Sequence, residues 1–144
     1  MLPSDISPSE YQALAEFRYQ IRSFLGFSEN AARAAGLEPQ QHQLMLAVRA
    51  APKPATIRYL ADRLQLRHHS AVGLIDRMEA TGLVRRKRSE GDRRSAEIRL
   101  TPKGSKLLGD LSVQHRNELR SAIPALIESL TRIQYKQDSH HVED

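Results

Sequence analysis

The chain has 144 residues, a hydrophobic content of 40% and a formal net charge of +5. This length fits one domain, or one domain with helical extensions, and the modest apolar content favours a core shared between subunits. No cysteine is present, which excludes disulfides, thiolate metal sites and thiol-based redox sensing. Since no apolar run approaches the roughly 20 residues that span a bilayer and the first residues do not resemble a signal peptide, we expect a cytoplasmic protein without membrane contact.

A capping box begins the first predicted helix, with Ser7 as N-cap, Pro8 at the first helical position and Glu10 three residues after the cap. A broad apolar stripe continues to about Ala35, and Gly36 ends it. Four of the seven Phe and Tyr residues of the chain fall between positions 17 and 27. They are interpreted as core residues or, alternatively, as the lining of a ligand site.

A helix-turn-helix pattern follows a second helix that Pro39 opens and that the prolines at 52 and 54 end. Thr56 is the predicted N-cap of a short helix to Leu64, and residues 65–67 form a break. The next helix buries one face and stops at Gly82, a glycine in the C′ position. The residues of that buried face are spaced three or four apart: Ala71, Leu74, Ile75 and Met78.

The opposite face of this second helix of the motif is small and polar. A helix that lies in a DNA major groove about 12 Å wide needs small side chains on its approach side and hydrogen-bonding groups near its N-terminus. An ordinary surface helix would carry more Glu and Lys there. The residues that we predict to contact DNA from this helix are Arg67, His68, His69, Ser70, Val72 and Gly73.

A β-hairpin with a basic tip is predicted next. Its arms are residues 84–88 and 96–100, and the turn is centred on Gly91. Six of residues 85–94 are cationic, against the two anions Glu90 and Asp92. Residues 56–103 hold 12 Lys and Arg and 6 Asp and Glu, a net charge of +6, whereas the rest of the chain has a net charge of −1. This concentration of charge indicates a face that binds a polyanion.

The C-terminal part is predicted to be helical and apolar on one side. Thr101 and Pro102 form an N-cap and N1 pair that launches a long helix toward Arg120. Pro124 is expected to break it, after which a last helix continues the stripe. The terminal helices, at 7–36 and 102–137, have apolar stripes that no other predicted element covers. We therefore predict that they pair with each other and with a second subunit.

The central part of the sequence resembles a known family. The runs Leu64-x-Leu66, Ser70 to Glu79, Gly82-Leu-Val-x-Arg86, Asp92-Arg-Arg94 and Leu100 to Gly104 are similar to the signature of the MarR family (multiple antibiotic resistance regulators) over about residues 37–108. The resemblance implies a single MarR-like domain over 1–144. It is mainly α with a small β-hairpin wing (α+β), and has a winged helix-turn-helix at 37–101 between dimerisation helices.

The resemblance also implies roles for individual residues. A homodimer would bind double-stranded DNA at a pseudo-palindromic operator, with the wing at the minor groove. Asp92 would fix the wing by an ion pair with Arg77, and Arg94 would enter the groove. The wing residues expected to contact DNA are Arg86, Arg88, Arg93 and Arg94. A pocket for a small aromatic or amphipathic effector would be lined by Phe17, Phe24, His42, Leu46 and Tyr59, and the function implied is that of a repressor released by such a ligand.

Signs of enzyme chemistry or metal binding are missing from the sequence. It has no glycine-rich phosphate loop, no nucleophile elbow and no His-Glu-x-x-His motif. The six histidines are isolated or adjacent rather than spaced as ligands, so neither a metal site nor a cofactor is expected. Two other interpretations stay open: an architectural DNA-binding protein with little sequence preference, and a ligand carrier or enzyme on an inherited fold.

Overall fold

The computed structural model describes residues 5–88 and 96–134. Within these ranges the helices are α1 (Pro8–Ala34), α2 (Pro39–Ala50), α3 (Ile57–Leu64), α4 (His68–Ala80) and α5 (Pro102–Gln134), and the strands are β1 (Ala55–Thr56), β2 (Val84–Arg88) and β3 (Ala96–Leu100). The predicted class, mainly α with a small β wing, is confirmed. The predicted turn at Gly91 and the site residues Asp92, Arg93 and Arg94 lie outside the described residues.

Both ends of α1 form as the sequence predicts. The backbone N–H of Ser7 donates to the Glu10 carboxylate at 3.2 Å, and the N–H of Glu10 donates to the Ser7 hydroxyl at 3.1 Å. This reciprocal pair satisfies two donors that a helix start leaves open. At the other end Gly36 takes a φ of +81°, and the N–H of Leu37 donates to the Ala32 carbonyl at 2.9 Å. A glycine is favoured there because a left-handed residue must close the last turn.

The prediction that Pro124 separates two C-terminal helices is wrong, because α5 runs from Pro102 to Gln134 with Pro124 inside it. A proline removes one hydrogen bond, here the one to the Arg120 carbonyl. Arg120 lies in an exposed stretch of the helix, where water can bond the carbonyl instead. One lost hydrogen bond does not end a helix whose apolar stripe continues on both sides.

The three strands form one antiparallel sheet in the order β1-β3-β2. The hairpin arms have the predicted bounds, and Val84 lies opposite Leu100 while Arg88 lies opposite Ala96. The short strand β1 was not predicted. It pairs Ala55 with Ile98, which ties the wing to the residues that begin α3.

The chain divides into two compact units. The central unit, residues 28–114, contains the helix-turn-helix, the sheet and the main hydrophobic core. That core buries the inner faces of α2, α3 and α4 with parts of the sheet, and its largest fully buried side chains are Leu44, Met45, Leu60, Leu74, Ile75, Met78, Val84, Ile98 and Leu111.

The second unit, residues 1–27 and 115–144, contains residues 8–27 of α1 and residues 115–134 of α5. We call it the terminal-helix unit. It buries Ala13, His115 and Ser129 but exposes many large apolar side chains. Those on α1 are Tyr11, Leu14, Tyr19, Ile21 and Leu25, and those on α5 are Leu119, Ile123, Ile127, Leu130 and Ile133. No described helix is long and apolar enough to cross a membrane.

Candidate nucleic-acid interface

The rotation of α4 about its axis is set by its buried face. Ala71, Leu74, Ile75 and Met78 are each at most 1% exposed, as their spacing predicted. The start of the helix is set by α3, whose N-cap Thr56 accepts a hydrogen bond from the N–H of Tyr59 at 3.1 Å. The helix α3 ends at Gln65 in the left-handed region, with φ of 55°, so the chain turns sharply into α4. The predicted helix-turn-helix is confirmed.

The predicted contact residues of α4 lie on the face that this packing leaves outside. Arg67, His68, His69 and Ser70 are exposed, and Val72 and Gly73 are half-buried. A Cβ added to Gly73 would meet only the Arg77 guanidinium, at an ordinary van der Waals distance of 3.7 Å. Packing inside the protein therefore does not require glycine at this position.

The first arm of the wing is held by carboxylates of α4. The Arg86 guanidinium forms an ion pair with the Asp76 carboxylate, and the backbone N–H of Arg86 donates to the Glu79 carboxylate at 3.1 Å. In the described part of the chain the Nε of Arg86 is buried without a hydrogen-bond partner. Arg86 is thus a link between wing and α4, whereas Arg88, two residues further, is exposed.

Sequence reasoning did not assign this role to Asp76 and Glu79. One signal was available: residues 84, 86 and 88 share a face of β2 because side chains alternate along a strand, and Val84 is buried. Arg86 shares this face with the buried Val84. A cation close to the core needs an anionic partner more than a cation in water does.

Arg77, the predicted partner of Asp92, forms an ion pair with Glu38 at 3.4 Å. Both side chains are more than half exposed, so this pair contributes little to stability. It nevertheless connects the first turn region of α2 to α4.

The other end of the wing is joined to the start of α5. The Thr101 hydroxyl donates to the Gly82 carbonyl at 2.6 Å and accepts from the N–H of Gly104 at 3.0 Å. The Lys103 ammonium donates to the Thr81 carbonyl at 3.0 Å. The backbones approach so closely that a Cβ on Gly104 would lie 2.2 Å from the Leu83 carbonyl oxygen. We call residues 81–83 and 101–104 the α4–α5 junction.

The five residues predicted to line an effector pocket fall in both units. Phe17 and Phe24 are half-buried residues of the terminal-helix unit. In the central unit His42 is buried, and Leu46 and Tyr59 line one cavity of about 370 Å³ with Arg63.

A further aromatic contact in the terminal-helix unit was missed. The rings of Phe24 and Phe27 meet the His115 ring edge to face, at centroid distances of 5.8 and 5.5 Å. His115 follows Leu108 and Leu111 at helical spacing, which was the available signal for its burial. Among the described residues no group of three or more His, Asp or Glu side chains could hold a metal ion.

Comparison with known proteins agrees with this architecture. A model of the MarR family matches residues 35–95. A search among curated protein sequences finds no match. The structure is similar to that of AbsC, a MarR family transcriptional regulator from Streptomyces coelicolor, with 22% identity, a TM-score of 0.71, and coverage of 90% of this chain and 89% of that one.

Two further solved structures are similar to this chain and contain ligands. One is a MepR mutant of Staphylococcus aureus bound to an oligodeoxyribonucleotide, with 18% identity, a TM-score of 0.63 and coverage of 92% and 87%. The other is CouR from Rhodococcus jostii RHA1 bound to p-coumaroyl-CoA, with 23% identity, a TM-score of 0.60 and coverage of 77% and 83%. MarR family regulators are non-enzymatic transcription factors. The family model that matches the helix-turn-helix region is thus that of the MarR family, and the fold of the chain is the one found in solved MarR family regulators.

Proposed function

We propose that the protein is a homodimeric transcription regulator that binds double-stranded DNA at a pseudo-palindromic site. The observation that carries the proposal is the outer face of α4, where His69 and Ser70 are exposed at the helix start and Gly73 is not required by internal packing. Such a face can enter a major groove and present hydrogen-bonding groups to base edges. The relative bound to an oligodeoxyribonucleotide supports this assignment.

The wing is proposed to lie along the DNA backbone and minor groove. Arg88 is exposed on β2, and Arg93 and Arg94, which lie outside the described residues, follow it in the sequence. A narrow minor groove concentrates negative potential and attracts arginine. Asp92 is assigned a structural role in the wing, since a carboxylate has the wrong sign for a phosphate surface.

Selection of bound sequences from random DNA tests this function directly. A regulator should enrich a two-fold symmetric motif and bind it about 10³-fold or more tightly than unrelated DNA. The alternative, an architectural DNA-binding protein, would enrich no motif and would bind different DNA sequences with nearly equal affinity. Absence of any salt-dependent DNA binding would exclude both.

Two arginines two residues apart on β2 should respond differently to substitution. Each phosphate contact that is lost reduces the log-log slope of affinity against salt by about one unit. We expect Arg88→Gln to produce this change, because the side chain is exposed. Arg86→Gln should leave the slope nearly unchanged, since Asp76 already pairs with the Arg86 charge, and should lower the thermal stability instead. Equal slope changes for both variants would contradict the linking role of Arg86.

Dimerisation is assigned to the terminal-helix unit. Its exposed apolar side chains on α1 and α5 form the kind of surface that marks a protein interface rather than a solvated one. A second copy covers such a surface with an identical patch, as in most two-fold dimers.

We expect Ile127→Lys to convert the dimer to a folded monomer. Ile127 is 59% exposed, so a lysine fits the protomer, but a charge in the centre of an apolar interface is left unpaired. Sedimentation velocity at micromolar concentration measures the change, and circular dichroism checks the fold. Lys106→Gln, which alters an exposed pair with Asp110 in the central unit, is the control. A wild-type protein that sediments as a monomer would refute the assignment.

The proposed regulation is repression that a small organic ligand relieves. The similar structure with p-coumaroyl-CoA supports a ligand with an aromatic part. Phe17, Phe24, His42, Leu46 and Tyr59 remain the candidates for contact with such an effector. Repeating the DNA selection with aromatic acids and their thioesters tests the proposal: release of the selected DNA supports it, and unchanged affinity with every compound contradicts it.

A further inference from the structure

A cavity of the central unit lies where the end of α2, residues 51–55, β3 and the first turn of α5 come together. Its volume is about 410 Å³. None of the sequence-predicted site residues lines it. It is therefore separate from the outer face of α4 and from the predicted effector residues.

Three cations from three segments line this cavity. Arg49 belongs to α2, Lys53 to the link after it, and Arg99 to β3, and no lining residue is acidic. Among the described residues, no carboxylate lies within ion-pair distance of Arg49 or Lys53. Arg99 forms an ion pair with Glu97 at 3.4 Å, and its side chain is 54% exposed. Three cations around one cavity, without an acidic residue in the lining, favour an anionic ligand.

The remainder of the lining is largely apolar. It includes Val48, Ala51, Ala55, Ile98 and Leu100, of which Ala55 and Ile98 are buried. A cavity lined by apolar side chains and a few charged groups fits a small ligand that combines both properties. A DNA phosphodiester offers an anion but no apolar body to contact the apolar side chains.

The sequence explains why the cavity exists. In the register of β1 and β3, Ala55 lies opposite Ile98, so Pro54 would come next, opposite Arg99. Proline lacks the N–H needed to continue the ladder, and β1 has only two residues. The β1 side of β3 is consequently left uncovered at Arg99 and Leu100.

We propose that this cavity binds a small organic anion, with its anionic oxygens at Arg49, Lys53 and Arg99 and its apolar body against Val48 and Leu100, which are half-buried apolar side chains of the lining. Arginine side chains suit carboxylate and phosphate groups because their donors match two oxygens at once. The ligand would contact residues directly before Thr56, the N-cap of α3. Any effect on DNA affinity rests on the proposed function, but the binding step itself does not.

Isothermal titration calorimetry without DNA tests the site with four probes: benzoate, phenyl phosphate, inorganic phosphate and benzylammonium. We expect benzoate and phenyl phosphate to bind, inorganic phosphate to bind at least fivefold more weakly than phenyl phosphate, and benzylammonium not to bind. Amide chemical-shift changes with benzoate should centre on residues 49–55 and 98–100.

Charge-removing variants locate the site. Lys53→Gln and Arg99→Gln should each weaken benzoate binding about twofold to fivefold, as expected for exposed charge pairs, and the double variant about tenfold. Arg58→Gln removes an exposed cation of the same unit that does not line the cavity and should leave binding unchanged. Wild-type affinity in the double variant, equal binding of benzylammonium, or shifts centred elsewhere would overturn the proposal. A smaller salt slope of DNA binding with unchanged benzoate affinity would also overturn it, by assigning these cations to the DNA backbone.

Discussion

Replacing Gly104 by alanine is expected to lower the free energy of unfolding by about 3 kcal/mol, at the upper end of the usual range for overpacking, and the Tm by about 10 °C. The added Cβ would lie 2.2 Å from the Leu83 carbonyl oxygen and 3.1 Å from its carbon. The obstacle is backbone, which cannot rotate away as a side chain would.

The α4–α5 junction cannot make room for this methyl group without straining its own hydrogen bonds. The Leu83 carbonyl accepts a hydrogen bond from the N–H of Thr101 at 3.1 Å, and the Thr101 hydroxyl holds the neighbouring Gly82 carbonyl. Moving Leu83 would strain these bonds and displace β2 together with them. A buried carbonyl without its donor costs about 1 to 3 kcal/mol.

Thermal and urea unfolding measure this effect, and Gly109→Ala is the matched control. Gly109 lies in the same helix α5, and an added Cβ there meets no atom within 4 Å. Alanine is a better helix former than glycine by about 0.5 to 1 kcal/mol, so this variant should be slightly more stable than the wild type. Equal stability of the Gly104→Ala protein and the wild type would show that the junction yields easily.

The second large effect is expected at Gly73, where stability and DNA affinity should move in opposite directions. Gly73→Ala adds a methyl group within a helix, with only Arg77 in ordinary contact, so the free energy of unfolding should rise by about 0.5 to 1 kcal/mol. On the outer face of α4 the same methyl group would separate the helix from the DNA. We expect affinity for the selected site to fall tenfold or more, by analogy with the 1 to 3 kcal/mol that overpacking costs in a tight interior.

Fluorescence anisotropy with labelled DNA, next to thermal unfolding, measures both quantities on the same samples. Gly109→Ala again serves as control, because it adds the same methyl group to an exposed position of another helix and should leave DNA affinity unchanged. If Gly73→Ala binds the selected site as tightly as the wild type, α4 does not lie closely against DNA, and the proposed interface is wrong.

The local elements of this protein were predictable from the sequence. The capping box at Ser7 and Glu10, the N-cap Thr56 and the left-handed Gly82 all take the predicted conformation, and the first helix stops before Gly36 as predicted. Each of these signals acts over a few residues, between a side chain and the backbone next to it. The buried face of α4 was predictable for a similar reason, since a helical period repeats within one segment.

Contacts between segments were decided by the tertiary structure. Asp76 and Glu79 are ordinary helix residues in the sequence, and only the packing of β2 beside α4 makes them partners of Arg86. Pro124 has a strong local tendency to end a helix, but α5 continues through it, because the stripe on both sides outweighs one lost hydrogen bond.

Gly104 and the cavity at Arg99 are also explained only by contacts between distant segments. A glycine three residues into a helix has no evident purpose in the sequence, and its reason is the Leu83 carbonyl, 21 positions away along the chain. Likewise, Arg49, Lys53 and Arg99 line one cavity because β1 pairs with β3 but begins only at Ala55, after Pro54. Helix starts, helix ends and amphipathic faces were determined by the sequence through short-range bonding and periodicity. Which side chains meet across the fold depended on strand register and close backbone approach, which bring together residues far apart in the chain.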